Sequence, residues 1–272
     1  MRYVLILALA LPLAGWNETG HKAIAAIAYQ NLKQPARDRI DALLKQHPHY
    51  STWKGHPFQE AAYWPDVIRG NKEYDHPFWH YINVPFSPDK TPFPPVNYNA
   101  EGLLTKLREF RKSVGNPALP EPERAIQLAW LLHLIGDVHN PLHTVARYTR
   151  SLPTGDRGGN SVYVAGARNL HAYWDGLLGN APTPEFIGQL AEGLMKTEKR
   201  ETPPNTNERR WIDYGVQLAK QVVYSFGDDS GTKENPLPLS EEYRATAEKV
   251  ARARGALAGY RLAAVLNEAF RE

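Results

Sequence analysis

A mostly α-helical fold, a single domain with a few short β segments, is predicted by three features of this chain. Apolar residues recur at three- and four-residue spacing along most of it, only two runs read as extended, and no repeat or linker divides it. Residues 18–33 (ETGHKAIAAIAYQNLK) put Ile24, Ile27 and Ala28 on one helical face. Residues 35–46 begin at Pro35, a favoured first-turn residue, and repeat Ile40, Leu43 and Leu44. Further helical periods occupy 101–113, 122–139, 184–197, 208–226 and 240–270. The extended runs are YINV at 81–84 and SVYVAG at 161–166, the second following the Gly-rich turn TGDRGG. Proline gathers in the connections 87–99 and 227–239, long surface loops of the kind that border functional sites.

The 272-residue length and 42% hydrophobic content suffice for one large core. At the N-terminus a basic residue, the apolar run YVLILALALPL and two small residues precede Trp16. This reads as a secretory signal peptide over residues 1–15, with a run too short to span a bilayer comfortably. It predicts a mature domain of residues 16–272, secreted or periplasmic, with no transmembrane anchor left after cleavage. Cysteine is absent, which excludes a disulfide framework and thiolate metal sites. Any metal is then held by His, Asp, Glu or backbone groups. A net charge of +3 neither demands nor excludes a polyanionic substrate.

Histidines and aspartates recur in a pattern. In WLLHLIGDVHNPLH (130–143), His133 and Asp137 are four apart and so share a helical face. Pro141 bends or ends that helix and places His143 beyond the break. Leu131, Leu132, Leu134 and Ile135 surround the pair, and an imidazole and a carboxylate are costly to bury there unless paired or metal-bound. NLHAYWD repeats the spacing with His171 and Asp175, WNETGH sets His21 five residues after Trp16, and Asp66 (AAYWPDVIR) and His80 (FWHYIN) complete the set. Singly, each has an ordinary reading: an ion pair, a satisfied core histidine, an N-cap for Asp66, a buried aromatic for Trp16. Together, two helical His/Asp pairs, a third histidine past the bend and no cysteine make an inventory suited to zinc, including more than one ion.

In this order the motifs resemble those of the zinc-dependent single-strand nucleases of the fungal S1 and P1 type, which have plant and bacterial members. The resemblance is carried by WNETGH, WPD at 64–66, the aromatic-flanked His80, HLIGDVHNPLH, the GGN turn at 158–160 and NLHAYWD at 169–175. It spans Trp16 to Asp175, and the remaining helical third has no distinctive motif. It implies the single helical domain of the phospholipase C and P1 nuclease type, and three zinc ions. One ion is expected on Asp66, His80, His133 and Asp137. A second is expected on the free amine and carbonyl of Trp16 and on His21, with Asp137 as bridge, and a third on His143, His171 and Asp175. The implied reaction is hydrolysis of single-stranded DNA and RNA to 5′-phosphate products by metal-activated water, with 3′-nucleotidase activity on nucleotides. Asp66 and Asp137 are therefore expected at the catalytic centre, and Arg69 matches a basic position that stabilises the phosphoryl group. Tyr81 matches an aromatic position of the base pocket, and Asn83 stands where the fungal enzymes carry an acidic residue that hydrogen-bonds the base. His47, His49, His56, His76 and His139 match no ligand position and read as ordinary. No stable protein partner is implied.

Two other readings compete. A zinc phospholipase C of the same fold also begins with a ligand Trp, but the short Trp16-to-His21 interval and Asp175 in place of Glu favour the nuclease. An exported zinc-stabilised binding protein uses the same donor types, so ligands alone leave it open.

Overall fold

The computed structural model describes residues 15–227 and 230–271. The predicted signal segment, apart from Gly15, lies outside the described residues.

Helices dominate, as the periodicity predicts. The first, α1 (Glu18–Gln30), is opened by Asn17, whose side chain accepts from Gly20 N at 3.0 Å. It is buried on every face from Thr19 to Ala28, which makes it a central helix, not an amphipathic surface one. Lys22 is tolerated there because its ammonium lies 2.7 Å from Glu18 and 2.8 Å from Glu60. Next come α2 (Gln34–Leu44), with Pro35 in its first turn, α3 (Pro57–Val67), α4 (Leu103–Ser113) and α5 (Glu121–Asp137). After these follow α6 (Leu170–Asp175), α7 (Pro184–Thr197), α8 (Glu208–Leu218) and α9 (Glu241–Ala269). Around α1 pack α3, α5, α7 and α9. From Leu128 to Asp137 α5 is buried without interruption, so its C-terminal half is also interior.

Four departures from the sequence expectation have physical causes. The sequence does not announce helix α3, since Pro65 lies within it and its aromatic-rich sequence lacks a clean period; the proline withdraws one N–H from the last turn, two residues before the helix ends, so little helix remains for it to disrupt. The strand expected at 81–84 is displaced: β1 (Val84–Phe86) pairs in parallel with β2 (Val145–Arg147), a strand with no sequence signal at three residues long. The 161–166 run keeps only one bridge, Val164 to Leu237, because Val162 and Val164 bury into a second core with Leu170, Trp174 and Tyr243. The predicted 208–226 helix ends at Leu218 and widens into a π turn over Ala219–Val223.

Candidate metal centre

The C-terminal end of α5, the N-terminal half of α1, the end of α3 and the short helix α6 converge on one buried spot. Among the described residues, three groups bring metal-ligating atoms within 4.8 Å of one another: His21, His133 and Asp137; Asp66, His80 and His133; His143, His171 and Asp175. In the first two groups, Asp137 Oδ2 lies 3.0 Å from His80 Nδ1 and 3.2 Å from His133 Nε2. Asp66 Oδ1 is 3.9 Å from His133 Nε2. His21 Nε2 stands 3.3 Å from Asp137 Oδ1, and its ring stacks on His133 at 3.9 Å between centroids. In the third, His171 Nε2 is 3.6 Å from Asp175 Oδ2.

Backbone carbonyls aim the rings. His133 Nδ1 is 2.9 Å from Ala62 O, His143 Nδ1 2.6 Å from His80 O, and His171 Nδ1 2.6 Å from Gly158 O. A carbonyl only accepts, so each of these Nδ1 atoms carries a proton, and in the neutral ring each Nε2 presents a lone pair. Yet His143 Nε2 and His171 Nε2 face each other at 3.1 Å. Two lone pairs converging beside the Asp175 carboxylate are repulsive without a cation between them. The orphaned atoms agree: His21 Nδ1 and Nε2, Asp66 Oδ2, His80 Nε2 and Asp137 Oδ1 are buried without a hydrogen-bond partner. Such groups are expensive in a protein interior, and their clustering is what a metal site requires. The donor set, imidazole and carboxylate, fits zinc.

Electrostatics point the same way. Burial drives the Asp175 carboxyl well above the usual carboxylate range, with Asp137 and Asp66 adding to the rise. Burial would also raise Asp137, but His133 and His143 outweigh it and hold that carboxyl well below its ordinary value. His80 is pushed down to about 4 by burial, and His21 is lowered by burial and by His133. Burial would lower His133, but the Asp137 and Asp66 carboxylates outweigh it and raise that ring. Neutral His80 and His21 and an ionised Asp137 are thus in the states that bind metal, and an ion held by His133 would displace a proton from it.

The N-terminal residues reach the same spot. Trp16 is fully buried and its indole Nε1 donates to Gly136 O at 3.0 Å. A β-carbon on Gly15 would overlap Asp137 Oδ1 and lie 3.0 Å from His21 Nε2, so the backbone entering Trp16 runs against that pair. At the rim, Arg69 Nε donates to Asp66 Oδ1 at 2.9 Å, and its guanidinium comes within 3.5 Å of His80 Nδ1. Half-buried Tyr81 and exposed Asn83 line a neighbouring cavity of about 270 Å³ with Phe78, Asn97 and Leu103.

Four supporting residues lie outside the set that the sequence singles out. His139 is buried; its Nδ1 donates to Ile135 O at 2.7 Å and its Nε2 accepts from Arg261 at 3.0 Å, while Arg254 Nε donates to its carbonyl at 3.0 Å. This clamp fixes the bend between Asp137 and His143 from behind. Arg254 and Arg261, seven apart on α9, share a face of an otherwise apolar stretch, and that pairing was the available signal. His49 Nδ1 accepts from Trp64 Nε1 at 2.8 Å, holding the turn of α3 that carries Asp66.

The family model described as S1/P1 Nuclease matches residues 16–271. Endonuclease 2 of Arabidopsis thaliana is 23% identical over 94% of this chain and 91% of its own length. Nuclease S1 of Aspergillus oryzae is 26% identical over 96% of this chain and 94% of its own length. Among solved structures, the alpha toxin from Clostridium absonum aligns with a TM-score of 0.43 at 14% identity, covering 95% of this chain and 65% of that one. Matched from Trp16 to the end of its last helix, the chain belongs to the S1/P1 nuclease family and is a phosphodiester hydrolase.

Proposed function

We propose that this nuclease is exported, binds three zinc ions, and hydrolyses single-stranded DNA and RNA to 5′-phosphate products, with 3′-nucleotidase activity on nucleotides. The observation that carries the metal reading is the approach of His143 Nε2 and His171 Nε2 to 3.1 Å beside the buried Asp175 carboxylate. Asp66, His80, His133 and Asp137 would hold one ion, and His143, His171 and Asp175 another. His21, Asp137 and the amine and carbonyl of Trp16 would hold the third, a role supported by the backbone at Gly15 lying against His21 and Asp137. When bound, the ions supply Lewis acidity and bring water near neutral pKa, so no protein nucleophile is needed.

The chain's own groups do the rest. Arg69, steadied by Asp66, offers a planar guanidinium to the non-bridging oxygens of the phosphoryl group. Tyr81 offers a ring face for an unstacked base, which a duplex does not expose. Asn83 presents both a donor and an acceptor to the base edge, where a carboxylate would only accept. Export is supported by the signal-like residues 1–15 and by a family match that begins at Trp16. Among the described residues no helix is long and apolar enough to cross a membrane.

The test is incubation of purified mature protein with single-stranded DNA, single-stranded RNA, duplex DNA and phosphatidylcholine vesicles, before and after chelation and with zinc restored. Faster cleavage of both single strands than of duplex, lost on chelation and recovered with zinc, is expected. Hydrolysis of phosphatidylcholine with the oligonucleotides left intact would overturn the substrate assignment.

A further inference from the structure

The turn that orients His171 carries an arginine in a place where the backbone favours glycine. Gly155, Arg157, Gly158 and Gly159 have φ of 88°, 58°, 60° and 81°. Three of these positions carry the residue suited to that region, and Arg157 alone brings a β-carbon into it. The turn is fixed on both sides of Arg157. Buried Asp156 accepts from Arg147 N at 2.9 Å and from the Tyr224 hydroxyl at 2.5 Å, and Gly158 O receives His171 Nδ1 at 2.6 Å. The Asn160 side chain donates to the Arg157 carbonyl at 2.9 Å. The Arg157 side chain itself is exposed and has no hydrogen-bond or ion-pair partner among the described residues. Arg69, by contrast, is engaged by Asp66.

The place of that free charge is also informative. His143 joins the two segments: its Nδ1 donates to His80 O at 2.6 Å, its carbonyl accepts from Ile82 N at 2.8 Å, and its Nε2 lies 3.1 Å from His171 Nε2. Arg157, one residue from the carbonyl that aims His171, therefore lies on the His171 side of a centre whose other side is bounded by the segment that carries Tyr81. A single strand whose base stacks on Tyr81, with its scissile phosphate at the centre, would run its neighbouring phosphate past the His171 side.

We propose that Arg157 grips a non-scissile phosphate of the bound single strand, on the His171 side of the centre, leaving the scissile phosphate to Arg69 and the metal ligands. The assignment rests on the nuclease reading above. It predicts a substrate-length effect: a dinucleoside monophosphate has no second phosphate to grip, whereas an oligonucleotide has.

The experiment uses the zinc-loaded enzyme and the variants Arg157→Gly, Arg157→Ala and Arg157→Lys, each checked for metal content and melting temperature. Arg157→Gly suits the left-handed backbone, so it removes the charge while leaving the turn intact. KM and kcat are measured on an oligonucleotide and on a dinucleoside monophosphate across a range of salt concentrations. For the oligonucleotide, Gly and Ala should raise KM about tenfold with kcat little changed, and should flatten the salt dependence of log(kcat/KM) by about 0.7, one single-strand phosphate contact. Lys should restore most of both, and the dinucleoside monophosphate should barely respond. Unchanged oligonucleotide KM and salt slope in Arg157→Gly would overturn the assignment, as would equal losses on both substrates, which would mean a structural effect on His171. A wild-type protein that cuts neither substrate would overturn the single-strand reading, and this assignment with it.

Discussion

His47 sets an acid limit on the fold that can be worked out from its surroundings. The ring is buried, packs edge-on against Trp64 at 4.5 Å between centroids, and accepts from His49 N at 3.1 Å through Nδ1. Its Nε2 is buried without a partner, so no acceptor stabilises an imidazolium there. Burial, reinforced by His49, pushes its pKa down to about 3. An unfolded histidine titrates near 6.5, so between those values the unfolded chain takes up a proton that the folded chain refuses. Stability is complete above about pH 6.5 and is lost as pH falls from there toward 3. At about pH 5 the loss from this one group is about 2 kcal/mol relative to neutral pH, equivalent to about 4–8 °C in melting temperature for a chain of this size. His47→Leu removes the titration while keeping an apolar volume against Trp64. Its absolute stability will also change, so the informative quantity is a double difference. Urea unfolding of wild type and variant, both zinc-saturated, is compared at about pH 7.5 and about pH 5, where acid effects on the metal ligands cancel. The variant should lose about 2 kcal/mol less than wild type on acidification. Equal losses would mean that His47 already accepts a proton in the folded state, and would refute the burial argument.

Chelation should abolish hydrolysis and lower the melting temperature together, since zinc at 100 to 1,000 times its Kd contributes about 3–4 kcal/mol to folding; an unchanged melting curve after verified metal removal would show the metals to be dispensable for the fold. Asp137→Asn should lose more than one zinc per chain by elemental analysis and nearly all turnover, whereas Asp175→Asn should lose one; equal losses would contradict a bridging Asp137. A Met-Gly extension ahead of Trp16 should reduce zinc content and activity strongly while circular dichroism stays helical, because an amide lacks the basic lone pair of a free amine. Trp16→Phe keeps that amine but leaves Gly136 O without its donor, so it should cost about 1–3 kcal/mol in stability and less in activity than the extension does.

The donors of this centre were legible because they are residue types at fixed local spacings. His133 with Asp137 and His171 with Asp175 each lie one helical turn apart, and a turn is something a sequence records. The long helices were legible for the same reason. Helix α3 was not, because its period is masked by aromatics and interrupted by Pro65, and it is held by contacts with α1 and α5 instead of its own pattern. The strand at Val145–Arg147 forms by pairing with Val84–Phe86, flanked by bonds from Ile82 N to His143 O and from Tyr148 N to Phe86 O, a pairing that three residues cannot announce. His139 carries no such mark, since its partner Arg261 is 122 residues away.

What the sequence could not carry at all is the layer that aims the ligands. The atoms bonded to His133, His143 and His171 at Nδ1 are the carbonyls of Ala62, His80 and Gly158, which any residue supplies. Their identity as side chains is irrelevant to the bond, so substitution at those positions leaves the acceptor in place unless it moves the backbone. Gly158 is where the backbone is most constrained: its φ is 60°, and a β-carbon there would overlap Leu142 O. The tautomer that turns His171 Nε2 toward His143 and Asp175 therefore depends on a glycine that makes no side-chain contact with either. The same logic explains why the centre sits where α1 and α5 are buried on all sides, since carbonyl-set tautomers hold only as well as the packing that fixes the carbonyls.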